Sequence, residues 1–307
     1  MSLLVVGSIA YDSVETPFGK VDDVLGGAAA HFASAASFFA KVKMVGVVGD
    51  DYDLANLDFL KAREVDLEGV TRAKGKTFRW KGRYGYNLNE AETLDTQLGV
   101  FADFKPELPS EYRKAPYVFL ANIHPELQLY VLKQAQNTKL VALDTMNFWI
   151  EGERPALKKT LSAVDMVIIN EGEVRQLSGE YNLVKAARAV LSYGPSRLIV
   201  KRGEYGALMF TEDHIFASPA YPLEAVFDPT GAGDSFAGGV MGHLARTGDL
   251  SNNNLRQAII VGSVMASFHV EDYSMDRNKT LLEAEVHERF RAFRALTEFE
   301  DLVVPPE

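Results

Sequence analysis

Cysteine is absent from the 307 residues. That excludes disulfides, a thiolate zinc site and a catalytic thiol, and it fits a reducing compartment. Positive charge is in deficit, with 32 Lys plus Arg against 42 Asp plus Glu, a formal charge of -10. Such a surface argues against binding nucleic acid or an anionic membrane through bulk charge, although one local site can still hold a phosphate. No apolar run is long enough to span a bilayer; the lowest-polarity stretch, residues 26–40, carries His31 and two serines. The segment Met1 to Gly7 has no basic region and reads as a first strand, not a signal peptide, so a cytoplasmic protein is expected. The six histidines show no HxxxH spacing, which removes the usual zinc patterns. What is present, 47% hydrophobic and 24% charged residues, is the composition of a globular chain and excludes wholesale disorder.

Short runs rich in β-branched residues recur at 3–6, 42–48, 117–120, 140–143, 166–169 and 198–200. They end on Gly7, Gly49, Asn122, Asp144, Asn170 and Lys201, and helical patterns lie between several of them, at 126–136, 171–177 and 183–193. Continuous apolar runs alternating with helices predict parallel strands buried on both faces. Ligands of such sheets bind beyond the carboxyl ends of the strands. Residues 13–24 and 69–100 break the rhythm, being polar with interleaved aromatics, as in Thr77-Phe78-Arg79-Trp80-Lys81-Gly82-Arg83-Tyr84. They predict a small separate sheet, a lid or an oligomer contact, set on an α/β body of residues 1–12, 25–68 and 101–307. Helical segments at 252–270 and 281–296 follow. Gly69 with Gly75-Lys76-Thr77 approximates a Walker A loop but has one residue too many between its glycines, and is rejected.

The most informative segment is Asp228-Pro229-Thr230-Gly231-Ala232-Gly233-Asp234, followed by Ser235-Phe236-Ala237-Gly238-Gly239. A glycine-rich turn opening a helix leaves the first N–H groups unpaired and aims the positive end of the helix dipole at the turn. That arrangement holds anions and suits a phosphoryl group in transfer. Taken alone, such a turn reads equally well as an ordinary one with Asp234 as N-cap.

The longer pattern resembles the C-terminal signature of the ribokinase-like (PfkB) carbohydrate and nucleoside kinases. Gly26-Gly27-Ala28-Ala29-Ala30 resembles that family's N-terminal Gly-Gly substrate motif, and Val47-Val48-Gly49-Asp50-Asp51 the strand end after it. Asn170-Glu171-Gly172-Glu173 resembles the Asn-x-x-Glu motif, and Lys201-Arg202-Gly203-Glu204-Tyr205-Gly206 the Lys-x-Gly-x-x-Gly turn. The matches stand in family order over essentially the whole chain. The resemblance implies an α/β protein: a ribokinase-like three-layer α/β/α fold with a mostly parallel central sheet and a small inserted β-sheet lid. It also implies transfer of a phosphoryl group from ATP, with Mg²⁺, to a hydroxymethyl group of a small molecule.

Roles follow from the same resemblance. Asp234 would be the general base, and the N–H groups of Gly231, Ala232, Gly233 and Asp234 the anion hole. A carboxylate of ordinary acidity would suffice, because the proton moves late in a loose transition state. Asn170 and Glu173 would organise Mg²⁺ through water, and they also read as a helix N-cap with its first-turn glutamate. Lys201, Gly203 and Gly206, with Asn170, would serve ATP. Asp12, Gly26, Gly27 and His31 would face the substrate, Asp12 gripping its hydroxyls. Asp144 and Asn147 align with a strand end that faces the nucleotide phosphates. Asp228 resembles a monovalent-cation (K⁺) ligand of part of the family.

Two departures stand out. His31 replaces the asparagine of many sugar kinases, which leaves the sugar open. Phe268-His269-Val270-Glu271-Asp272-Tyr273 replaces a glycine-containing loop at the cation site, which leaves K⁺ dependence open. A sugar is the first expectation. A nucleoside is the second, because Phe78, Trp80, Tyr84 and Tyr86 could stack on a base, or equally pack the lid or a homodimer contact through it. Arg79, Lys81 and Arg83 could meet a phosphorylated substrate, or simply be solvated. A non-catalytic nucleotide or metabolite sensor is the rival from another class; the intact base and turn count against it.

Overall fold

The computed structural model describes residues 1–298 and residue 300, so residues 299 and 301–307 of the expected body range 101–307 lie outside the described residues. The strands, in chain order, are β1 Ser2–Val6, β2 Ala10–Thr16, β3 Gly19–Gly26, β4 Lys41–Val48, β5 Asp66–Arg72, β6 Phe78–Tyr84 and β7 Ala91–Gln97, then β8 Tyr117–Leu120, β9 Leu140–Leu143, β10 Met166–Asn170, β11 Arg197–Lys201, β12 Ala207–Phe210 and β13 Ile215–Ser218. Nine of them form one sheet in the order β13-β12-β11-β10-β9-β8-β1-β4-β5. From β5 to β11 every pairing is parallel; β12 and β13 continue antiparallel at one edge.

Strand β1 shows how sequence makes the layers. Its alternate residues point to opposite faces. Leu3 and Val5 pack with Phe32, Met44, Phe236 and Val240 on one side. Leu4 and Val6 pack with Val131, Leu157, Val174 and Val200 on the other. Each fully buried aliphatic side chain contributes about 1.5–3 kcal/mol, so a run without polar residues is stable only at the centre of three layers. The first face carries the helices Ala28–Ala36, Ala232–Thr247 and Asn252–His269; the second carries Pro125–Gln134, Arg154–Leu161, Glu171–Ser178 and Leu183–Leu191. Helix Ala232–Thr247 approaches Ala28–Ala36 backbone to backbone. A Cβ at Gly238 would lie 2.4 Å from the Phe32 carbonyl oxygen, so only glycine fits there. Among the described residues no helix is long and apolar enough to cross a membrane.

The remaining four strands form a second sheet, β3-β2-β6-β7. Its limits differ from those expected at both ends. Residues 69–72 belong to β5, paired in parallel with β4 through Val45↔Gly69 and Val48↔Arg72, because Gly69 leaves room for the Val45 and Tyr112 side chains. Residues 10–12 and 25–26 belong to the small sheet, so Asp12 sits on it and not on the body. Along β6 the side chains alternate, placing Phe78, Trp80 and Tyr84 on one face and Arg79, Lys81 and Arg83 on the other. The basic residues do not form a free patch. Arg79 pairs with Asp51 at 2.7 Å and Asp23 at 3.3 Å, and Arg83 with Glu15 at 3.3 Å. Asp51 also accepts from the Thr77 N–H and hydroxyl, at 2.7 and 2.8 Å. Partial loss of hydration opposes its charge, yet these bonds and Arg79 hold the Asp51 carboxyl at about 2. The arginines are spent on tying the small sheet to itself and to the body.

Candidate active site

The carboxyl ends of β1, β8, β9, β10 and β11 point toward the start of helix Ala232–Thr247. Its N-cap is Gly231, with φ 78°, in the left-handed region that favours glycine. A Cβ there would also fall 2.4 Å from the His31 ring. The cap is thus Gly231, and Asp234 occupies the first turn of the helix. Of the four expected anion-hole donors one is spent, because the Ala232 N–H donates back to the Pro229 carbonyl at 3.1 Å. The N–H groups of Gly231, Gly233 and Asp234 meet no backbone or side-chain acceptor among the described residues.

A charge cluster faces this turn. Asp144 follows β9, Lys201 ends β11, and Glu173 stands in the first turn of the helix after β10. Lys201 Nζ donates to Asp144 Oδ2 at 3.1 Å, and a Cβ on Gly233 would come 2.9 Å from the same nitrogen. Asn170 and Glu173 form a capping box: the Asn170 N–H donates to Glu173 Oε2 at 2.7 Å, and the Glu173 N–H to Asn170 Oδ1 at 2.8 Å. The capping role expected of this pair is therefore real, and it leaves Glu173 Oε1 free of it. Loss of hydration, then the Asp144 charge, pushes both Asp234 and Glu173 up to about 7. Asp234 thus departs from ordinary acidity. Burial disfavours the Lys201 charge, but Asp144, then Glu173 and Asp234, hold the ammonium above its usual range. Three carboxylates share one ammonium, and a surplus of oxygen-borne negative charge suits a hard divalent cation. Among the described residues no three such side chains converge closely enough to cage an ion alone.

On the other side of the turn, Asp12 is 6% exposed and its carboxylate lies over Gly26, where a Cβ would meet Oδ2 at 2.0 Å. Asp12 itself therefore needs Gly26 to be bare. Gly27, φ 95°, starts helix Ala28–Ala36, and a Cβ there would meet the Ser8 carbonyl at 2.6 Å. His31 Nε2 stands 3.6 Å from Asp12 Oδ2, and neither ring nitrogen of this buried histidine has a hydrogen-bond partner among the described residues. Its ring meets that of His269 edge-on at 4.9 Å.

Two residues, His269 of the segment 268–273 and Tyr84 of the candidate stacking aromatics, make contacts in the site that the sequence reading does not give. His269 Nε2 bonds the Thr230 carbonyl at 2.6 Å, and the Tyr84 hydroxyl from the small sheet bonds Thr230 Oγ1 at 3.2 Å. A lone histidine at a helix end carries no spacing signal, whereas Tyr84 was legible only as an aromatic. Burial, then His31, pushes His269 down to about 3, so its imidazole is neutral. Asp228 spends both carboxylate oxygens on backbone N–H groups, those of Thr230 at 2.8 Å and Ser274 at 3.1 Å. Gly203 and Gly206, φ 55° and 87°, form the turn after β11. Gly203 faces Asn89 from the loop between β6 and β7, and Asn89 also reaches Glu204 at 3.4 Å. Asn147 is exposed at the start of helix Asn147–Gly152, beyond β9.

A parallel sheet with acidic strand ends, a helix N-terminus with unspent N–H groups and a carboxylate in its first turn, and a second sheet touching both sides of that turn define a small-molecule kinase that uses ATP. The sequence matches the pfkB family carbohydrate kinases over residues 2–280, and the chain belongs to that family. It is 32% identical over 256 residues to the cytidine kinase of Thermococcus kodakarensis, covering 80% of this chain and 89% of that one. A nucleoside kinase of Methanothermobacter thermautotrophicus is 24% identical over 295 residues, covering 90% and 91%. The nucleoside kinase of Burkholderia thailandensis, solved with inosine, superposes with a TM-score of 0.78 at 20% identity over 95% of this chain and 99% of that one. These likenesses bear out the ribokinase-like fold read from the motifs.

Proposed function

We propose that the protein is an ATP- and Mg²⁺-dependent nucleoside kinase, transferring the γ-phosphoryl group to the hydroxymethyl group of a nucleoside. The observation that carries this reading is the register of the small sheet. Trp80 stands directly beside Asp12 on neighbouring strands, with Tyr84 further along the same face and bonded to Thr230. An aromatic surface for a base thus adjoins a carboxylate for sugar hydroxyls, above the turn where phosphoryl transfer would occur. The likeness to the Thermococcus cytidine kinase supports the same choice.

In this reading Asp12 accepts from the ribose hydroxyls and fixes the acceptor. Asp234 takes the proton of the attacking hydroxyl as its oxygen bonds the γ-phosphorus and the bond to ADP breaks. Its carboxyl at about 7 is matched to taking a proton near neutral pH, a contribution of roughly 10²–10⁴ in rate. The N–H groups of Gly231, Gly233 and Asp234 stabilise charge on the phosphoryl oxygens. Mg²⁺, bound with the nucleotide, would neutralise phosphate charge, and Glu173 is the residue that would hold it, through water. Lys201 and the Gly203–Gly206 turn adjoin the nucleotide, and the small sheet, as a lid, excludes water that would otherwise take the phosphoryl group.

Asp12 would serve a free sugar equally well, and this second reading is decided by the same experiment. ADP release is followed with MgATP against nucleosides and sugars, with cytidine, inosine, ribose and deoxyribose among them. Turnover with a nucleoside at least about tenfold above any sugar in kcat/KM is expected; the reverse order would replace the nucleoside with a sugar.

A further inference from the structure

The resemblance to the kinase family brings with it a monovalent cation held by Asp228, and the residues present do not fit one. Asp228 is 1% exposed, and each of its carboxylate oxygens already accepts a backbone N–H, from Thr230 at 2.8 Å and from Ser274 at 3.1 Å. The adjacent Thr230 carbonyl accepts from His269 Nε2 at 2.6 Å. A carbonyl can only accept, so Nε2 carries the hydrogen. The Ser274 hydroxyl, the next polar group, donates to the Leu25 carbonyl at 2.5 Å. Both Asp228 oxygens and the Thr230 and Leu25 carbonyls therefore each have a donor hydrogen aimed at them, the orientation that repels a cation.

We infer that His269 is a positioning residue that does by a hydrogen bond what a bound alkali cation would do, so that the kinase needs none. One peptide plane links His269 to the anion hole. The Thr230 carbonyl and the Gly231 N–H belong to the same planar unit and point in opposite directions. Fixing the oxygen fixes the N–H, which is one of the donors left unspent at the anion hole. His269 is itself held at the end of the 18-residue helix Asn252–His269, 1% exposed and edge-on to His31 at 4.9 Å. His31 in turn packs under Gly231, within 2.4 Å of where a Cβ would stand. The two imidazoles thus both pack against the turn, His269 at Thr230 and His31 at Gly231.

This inference rests on the kinase reading, and its test separates the two. Phosphoryl transfer is measured in potassium, sodium and tetramethylammonium chloride at one ionic strength. Rates agreeing within about twofold are expected, and activation by potassium of about fivefold or more overturns the inference. The melting temperature of the nucleotide-free protein in the same three salts needs no turnover. It should agree within about 1 °C, whereas a rise of several degrees confined to potassium would reveal a bound ion and overturn the inference. His269→Leu is expected to lower kcat roughly tenfold while the acceptor KM changes little, and His269→Gln, which can present an amide N–H near the same place, to recover most of the loss. A folded His269→Leu protein with unchanged kcat contradicts the role. Should that variant not fold, the two wild-type salt series still decide. Absence of turnover in every salt counts against the kinase reading, while the melting series continues to judge the cation.

Discussion

The Lys201 ammonium stands 3.1 Å from the Asp144 carboxylate, joining the end of β11 to the end of β9 across β10. Both side chains are largely withdrawn from water, at 17% and 8% exposure. Removing Lys201 leaves Asp144 buried without its cation. Lys201→Met is expected to cost about 3 kcal/mol or more in unfolding free energy, and the additional change Asp144→Asn to restore part of it. Urea denaturation of the three proteins checks this. A Lys201→Met protein with the wild-type midpoint would mean that the pair is not formed.

Protons should compete with catalysis near neutrality. The bare protein holds Asp234 at about 7, and a base works only when deprotonated. The sign is therefore fixed: activity falls as pH drops through this value. Measured as kcat/KM for MgATP, it is expected to fall about tenfold per pH unit below about 7 and to be level above. Glu173, also at about 7, shares the same field, so the profile reports the cluster and not one residue. A flat profile down to about pH 5.5 would remove Asp234 as the base.

Gly231 faces two separate obstacles to substitution. Its φ of 78° strains any side chain, and a Cβ would enter the His31 ring. Gly231→Ala is expected to lower kcat roughly 10²-fold or more by moving the N–H groups of the turn. Gly85→Ala is the control, since nothing lies within 4 Å of a Cβ there. Equal rates for the two variants would show that the turn tolerates displacement.

The Tyr84 hydroxyl links the small sheet to Thr230 at 3.2 Å. Burial raises this phenol to about 12, so it is a neutral hydroxyl at working pH. Tyr84→Phe is expected to raise the acceptor KM about threefold to tenfold, the worth of one hydrogen bond. Thr230→Val should give a similar change, with little further loss in the double variant. Additive effects would mean that the two hydroxyls act separately.

The sequence made the body of the fold legible and its seams obscure. The apolar runs at 117–120 and 140–143 coincide with β8 and β9 because a strand buried on both faces tolerates no polar residue. Strand β5 sits at the sheet edge with an exposed polar face, so its last residues resemble the lid that follows. The turn at 228–234 was legible because its glycines are a local requirement. The acidity of Asp234 was not, because its main electrostatic cause, Asp144, lies far away in the chain. Arg79 looked free for the same reason, its partners Asp23 and Asp51 being brought in by other segments. The loss of the Ala232 donor follows from how the backbone turns back on Pro229, which residue types alone do not encode.

Asp234→Asn keeps the size of the side chain and removes its capacity to accept a proton. Phosphoryl transfer from MgATP to cytidine, measured for this variant and the wild type alongside ATP affinity by calorimetry, shows whether Asp234 is the base. Turnover by the wild type, a fall of roughly 10²–10⁴ in kcat for the variant, and ATP binding preserved in both are expected. Wild-type turnover that survives Asp234→Asn undiminished would contradict that role.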